Sequence, residues 1–173
     1  MINKVVEIVL EASKYMRNRD FTVESKGSVS NNVTSVDLSV QDYLKRNLVP
    51  LVENSYFLGE ENFKIEKDRP YQWIVDPVDG TANFIRDLGA STISVALVKE
   101  GEPILGVIYN PYRDEMFYAE KGKGAFLNGK PIRVSDRSLE SSIICTALSL
   151  YNKDFAKPCL NILDEVYKKC DDF

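Results

Sequence analysis

Between Ser91 and Val134 the chain carries four apolar runs of strand length separated by turn signals, and this spacing constrains the fold most. "STISVALV" (91–98) and "PILGVIYN" (103–110) flank Lys99-Glu100-Gly101-Glu102, which predicts a hairpin. "EMFYAE" (115–120) follows, then "GAFLNGKPIRV" (124–134), where Asn128-Gly129 is the strongest short hairpin signal in the chain. Upstream, "YFLG" (56–59) and "YQWIV" (71–75) read as two more strands, the second apolar enough to be buried on both faces. The period changes before residue 52. Ile2, Val5, Val6, Val9, Leu10 and Ala12 recur at helical spacing and predict a helix over 2–17. Val36, Val40, Tyr43, Leu44, Leu48 and Leu51 mark a second helix, capped at Thr34 or Ser35 and frayed by Pro50. "KGSVSNN" (26–32) between them reads as a mobile loop. "SSIICTAL" (141–148) reads as one more buried strand, and residues 153–170 as a last helix with Leu160, Leu163, Val166 and Tyr167 on one side. Two helices, a run of strands and a last helix predict an α+β fold, with N-terminal helices packed on a largely antiparallel sheet.

Composition narrows the function. A chain of 173 residues is long enough for one domain with a sizeable core. The net charge of -4 offers no basic stripe to displace counterions, which argues against nucleic acid. Cys145, Cys159 and Cys170 show no CxxC spacing and read as reduced thiols of a cytoplasmic protein. Glu7 and Glu11 interrupt the N-terminal apolar pattern, so it does not read as a signal peptide, and no run has the length of a membrane span. Histidine is absent, which excludes His-based acid–base catalysis and any His-containing metal site.

"WIVDPVDGTANF" (73–84) ends an apolar run with Asp76 and Asp79 bracketing Pro77-Val78, followed by Gly80-Thr81. Pro77 fixes φ, and Gly80 permits a positive φ or a close backbone approach. Residues 81–84 then open a short helix whose free N–H groups favour an anion. Carboxylates beside an anion repel it unless a cation sits between, and Mg²⁺ takes such oxygen ligands. Taken alone, Asp79-Gly80 reads as a plain turn, with Asp76 as a cap. Glu60-Glu61 also follows a short strand and a Gly, at a strand C-terminus where sheets often bind ligands, although alone it reads as a solvated pair.

"GEE" (59–61), "WIVDPVDGTANF" (73–84) and "GKGAFLNGKPIRVS" (122–135) together resemble, in order and spacing, the inositol monophosphatase family of Mg²⁺-dependent, Li⁺-sensitive phosphatases. The resemblance implies the sugar-phosphatase fold. It divides the chain into a metal-bearing N-terminal domain over 1–150 and, over 151–173, the start of a connection to a C-terminal α/β half absent here. That half carries a W-D-x-A-A-G motif in the family, whereas the only Trp here is Trp73. The resemblance further implies that Glu60, Asp76 and the Val78 carbonyl hold one metal ion, with Asp76 bridging to a second shared by Asp79. The amides of Gly80 and Thr81 would bind phosphate beside Asp79. The Thr81 hydroxyl, paired with Asp37, would orient the attacking water together with Glu60. By pattern alone Asp37 has a surface role as readily. Lys26 matches a family lysine in a loop near the metals, and Glu61 is a further candidate.

The reaction implied is metal-assisted hydrolysis of a small phosphate monoester, an inositol monophosphate first, by a dimeric protein. Fructose 1,6-bisphosphate and 3'-phosphoadenosine 5'-phosphate are the alternative substrates. The competing reading is a catalytically incompetent metal- and phosphate-binding half that needs a partner. After Phe84, "IRDLGASTIS" departs from the aromatic, Pro-containing stretch of many members, which bears on the substrate rim.

Overall fold

The computed structural model describes residues 1–28, 31–60, 68–147 and 152–172. They form two compact units, Met1–Ile132 and Arg133–Phe173. The first opens with α1 (Ile2–Ala12), which buries Val5, Val9 and Ala12 and passes into a 3-10 turn over Ser13–Arg17. The amphipathic period expected over 2–17 thus becomes one helix with a tightened end.

Of the loop expected over 26–32, residues 26–28 end one strand and 31–32 open the next, while 29–30 lie outside the described residues. β1 (Val23–Ser28) and β2 (Asn31–Thr34) form an antiparallel ribbon with an irregular register between Ser25 and Ser28. Gly, Ser and Asn signal the turn, but the ladder needs only backbone N–H and C=O groups, which composition does not report. The ribbon runs directly into α2 (Ser35–Leu48), capped by Thr34. Val36, Val40, Leu44 and Leu48 face the core, and Pro50 sits in the 3-10 turn that ends the helix.

The main sheet has seven strands in sequence order: β3 (Ser55–Gly59), β4 (Tyr71–Asp79), β5 (Thr92–Lys99), β6 (Glu102–Asn110), β7 (Glu115–Glu120), β8 (Ala125–Leu127) and β9 (Lys130–Ile132). Only the β3–β4 pair is parallel. The expected hairpin at 99–102 and the Asn128-Gly129 turn both form, with Glu100, Gly101, Asn128 and Gly129 at positive φ. A one-turn helix, α3 (Thr81–Ile85), leaves the end of β4. The core joins α1 and α2 to one face of the sheet through Trp73, Val75, Val95, Leu97 and Val107. No helix among the described residues is long and apolar enough to cross a membrane.

The other sheet face is partly exposed among the described residues. Registered across the strands, Ile74, Ala96, Gly106, Ala119, Ala125 and Ile132 form one row on it. Ile108 and Phe117 are paired in the next row. Ile74 is 41% exposed and Ile108 44%. β4 is therefore not buried on both faces as its apolar run suggested. Hydrophobicity records that a face is to be covered and not whether the cover is present.

In the second unit, 141–147 do not form the expected strand. Leu139–Ser141 make a 3-10 turn, and Ile143, 62% exposed, makes a single bridge to Asp172. Two backbone bonds hold this arrangement, from the Ile144 N–H to the Asp172 carbonyl and from the Asp171 N–H to the Ser142 carbonyl. The last helix is α4 (Ala156–Tyr167), with Pro158 in its first turn, where the missing N–H has no intrahelical partner to lose.

Candidate active site

Strand pairing brings the carboxylates together. β3 and β4 run parallel with Gly59 opposite Val75, so Glu60 and Asp76 are the next residues on adjacent strands at the same edge. β4 does not stop at Val75 but continues to Asp79 through an irregularity. Asp76 pairs with Ser94 and Asp79 with Thr92, so three steps on β4 match two on β5. Such a bulge holds one extra residue. In a regular strand, residues three apart point to opposite faces. Here Asp76 and Asp79 oppose two residues that are themselves two apart, so the bulge returns both aspartates to one face. Pro77 suits this place, because it has no N–H for a ladder to lose.

The electrostatics follow from this crowding. The Asp76 carboxyl is pushed up to about 7, first by burial and then by the charges of Glu60 and Asp79, with Asp37 adding last. The Val78 amide opposes the shift without cancelling it. Asp76 Oδ1 is buried and finds no hydrogen-bond partner among the described residues. A buried carboxylate oxygen without a donor, among three other carboxylates, is a place for a cation. The residues present therefore fit a hard divalent ion such as Mg²⁺, through Glu60, Asp76, Asp79 and the Val78 carbonyl. No group of three or more acidic, Cys or His side chains among the described residues already converges as a ligand set.

Asp37 is 1% exposed, so its surface reading is corrected. Its two oxygens have separate tasks. Oδ2 accepts the Thr34 backbone N–H at 2.9 Å and the Thr34 hydroxyl, while the Asp37 N–H donates back to Thr34 Oγ1 at 3.3 Å. This reciprocal box caps α2. Oδ1 lies 3.1 Å from Thr81 Oγ1. The Thr81 hydroxyl also lies 3.0 Å from the Val78 carbonyl, and its single proton serves one of these acceptors at a time. Burial raises the Asp37 carboxyl above its usual range, although the bonds from Thr34 and Thr81 oppose this.

Gly80 turns the chain from β4 into α3 at φ +86. Its carbonyl accepts the Asn83 and Phe84 amides at 2.9 and 3.0 Å, and the buried Ser91 hydroxyl at 2.9 Å. A Cβ on Gly80 would stand 3.0 Å from the Ala90 carbonyl. Gly80→Ala is expected to cost about 1–3 kcal/mol from left-handed strain alone, read as a lower melting temperature. At Gly59 a Cβ would meet side chains only, the nearest being Gln41 Oε1 of α2 at 2.2 Å, so the strand before Glu60 lies close against the Gln41 side chain. Ser91 and this use of Gly59 carry no sequence signal. Glu61 and the Lys26 side chain lie outside the described residues.

Comparison with known proteins points the same way. A family model described as the inositol monophosphatase family matches residues 1–168. Inositol monophosphatase 3 of Solanum lycopersicum is 40% identical over 146 residues, covering 79% of this chain and 53% of that protein. The Nus factor SuhB of Escherichia coli K12 is 34% identical over 154 residues, covering 87% of this chain and 58% of that protein. The crystal structure of extragenic suppressor protein suhB from Bartonella henselae superposes with a TM-score of 0.88 at 31% identity, covering 98% of this chain and 67% of the other. The chain spans a little over half the length of the curated relatives it matches. By the extent of the family match, and with a fold that superposes on a SuhB structure over nearly its whole length, the chain belongs to the inositol monophosphatase family.

Proposed function

We propose that this chain carries the metal- and phosphate-binding machinery of a Mg²⁺-dependent phosphomonoesterase, with an inositol monophosphate as its first substrate. The observation that carries the reading is the bulge that sets Asp76 and Asp79 on one face beside Glu60, with Asp76 Oδ1 buried and lacking a partner among the described residues. Bound there, Mg²⁺ would supply Lewis-acid charge to a phosphoryl group and lower the pKa of water.

The protein's own groups do the positioning. Asp76 and Asp79 hold their carboxylates on one side of a rigid sheet end, and the Gly80–Thr81 turn presents its amides to a phosphate. Asp37 accepts the Thr81 hydroxyl proton, which leaves the Thr81 oxygen lone pairs to hold a water in line, with Glu60 taking its proton. Fixed donors and charges around the phosphoryl oxygens then provide most of the rate. The cytoplasm is the proposed compartment and a homodimer the proposed assembly, with residues 1–150 as the metal-bearing domain.

The partly exposed sheet face and the partial coverage of the relatives favour a second reading. In it the chain binds metal and phosphate but needs a further polypeptide for turnover. One experiment separates the two. Phosphate release is measured on inositol 1-phosphate, fructose 1,6-bisphosphate and 3'-phosphoadenosine 5'-phosphate, with and without Mg²⁺, beside a Mg²⁺ titration of the folded protein. Mg²⁺-dependent release supports the first reading. Mg²⁺ binding without release supports the second, and absence of Mg²⁺ binding removes both.

A further inference from the structure

α3 is a single turn, and a helix this short does not hold its own shape in water. Where the Thr81 hydroxyl stands therefore depends on what grips α3 from outside. At its far end the Phe84 carbonyl accepts Arg19 Nη1 at 2.9 Å, across 65 positions of sequence. The Arg19 guanidinium lies 4.8 Å from the Phe84 ring centroid and 5.1 Å from that of Phe21, and the two rings are 5.0 Å apart. Its Nη1 also stands 3.7 Å from Asp87 Oδ1, just past the helix. Phe84 is fully buried, so a charge-assisted bond and two ring faces fix the C-terminal end of α3 to the segment before β1.

The same segment grips the other partner. Three residues after Arg19, the Thr22 carbonyl accepts the Ser35 N–H at 3.1 Å, and the Thr22 N–H donates to Ser35 Oγ at 3.2 Å. Ser35 opens α2, two residues before Asp37. Residues 19–22 thus hold, through separate bonds, both the helix that carries Thr81 and the helix that carries Asp37.

We propose that Arg19 is a positioning residue that braces α3 so that Thr81 stays within hydrogen-bond reach of Asp37, with the 19–22 segment as the fixed link between them. Its consequence for turnover rests on the phosphatase reading above, whereas the brace itself does not.

The test uses the full chain with Arg19→Met, which keeps an apolar stem without donor or charge, and Arg19→Lys, which keeps the charge over the rings and one donor. Amide exchange is measured first on the ligand-free protein. In Arg19→Met the Asn83 and Phe84 amides are expected to exchange about 10-fold faster, the effect of losing one charge-assisted bond, while β5 and β6 amides keep their protection. Arg19→Lys is expected to recover most of it. Unchanged protection at Asn83 and Phe84 overturns the brace.

Kinetics with inositol 1-phosphate and Mg²⁺ form the second arm. Arg19→Met is expected to lower kcat about 10-fold with KM within about 2-fold, and to add little in a Thr81→Val background. Full additivity with Thr81→Val overturns the link to Thr81. Should the unaltered chain release no phosphate, the functional reading fails and the exchange result alone decides the brace. If Arg19→Met does not fold, Arg19→Leu, which likewise has neither donor nor charge, is read by the same criteria.

Discussion

Replacing Asp76 by Asn is expected to abolish Mg²⁺-dependent phosphate release while making the metal-free protein less sensitive to rising pH. The two effects share one cause. Burial first, and Glu60, Asp79 and Asp37 after it, push the Asp76 carboxyl from an ordinary 3.8 up to about 7. A group whose pKa is raised by folding is protonated in the folded chain and ionised in the unfolded one between those two values. In that window the folded state binds more protons, so stability falls as pH rises from about 4 to about 7 and levels off above. The raised Asp37 carboxyl contributes in the same direction. Chelated wild-type protein should therefore melt lower at pH 8 than at pH 5, and Asp76→Asn should show a smaller drop. Added Mg²⁺ should raise the wild-type melting temperature more at pH 8 than at pH 5, because the carboxylate must lose its proton to bind a cation. The variant should show neither this gain nor phosphate release above about a thousandth of wild type, the consequence of forfeiting several kcal/mol of metal-derived charge stabilisation. Activity within 10-fold of wild type, or an unchanged Mg²⁺ response, would reject Asp76 as a metal ligand.

Much of this site was legible in the residues. Two helical periods, strand-length runs and Asn128-Gly129 predicted an α+β architecture, because core-facing periodicity is written in side chains. Thr34 or Ser35 reads as the cap of the second helix, and it is Thr34, in a box with Asp37, that caps α2. What stayed hidden depends on backbone alone or on neighbours distant in sequence. The β1–β2 ribbon lies in a stretch of Gly, Ser and Asn whose composition suits a loop, yet its ladder needs no side chains. The bulge could not be read from "VDPVDG", because a bulge is a relation to β5. Ile74 looked like core and lies on the partly exposed face, since apolar character does not name its partner.

Asp37 shows most clearly how position outweighs pattern. Its place in the first turn of α2 is compatible with a solvated cap, and one of its oxygens does serve as a cap. Only the fold brings Thr81, forty-four residues away in sequence, to the other oxygen. A residue that caps with Oδ2 and orients with Oδ1 couples the start of α2 to the turn after β4, so helix stability and site geometry share one carboxylate.

That coupling sets the second large expectation, for Asp37→Asn and Asp37→Ala. An amide presents one oxygen and one NH₂. The Thr34 backbone N–H can only donate, so the amide oxygen must turn to Thr34 and keep the cap. The NH₂ then faces Thr81, whose hydroxyl no longer has an acceptor there and donates to the Val78 carbonyl alone. Asp37→Asn is therefore expected to keep its melting temperature within a few degrees while kcat falls about 100-fold, the scale of losing one oriented proton-transfer contact. Asp37→Ala removes both functions. It leaves the Thr34 N–H and hydroxyl buried without their acceptor and should cost about 2–4 kcal/mol, a lost cap plus an orphaned buried donor. Denaturant midpoints and kcat measured on both variants, with Thr34→Ala as a cap-only control, separate the roles. Thr34→Ala should lose about 1 kcal/mol and keep most of its turnover. Turnover in Asp37→Asn equal to wild type would show that the Oδ1 contact to Thr81 serves structure only, and equal stability in Asp37→Ala would show that the box at the start of α2 is not what holds that helix.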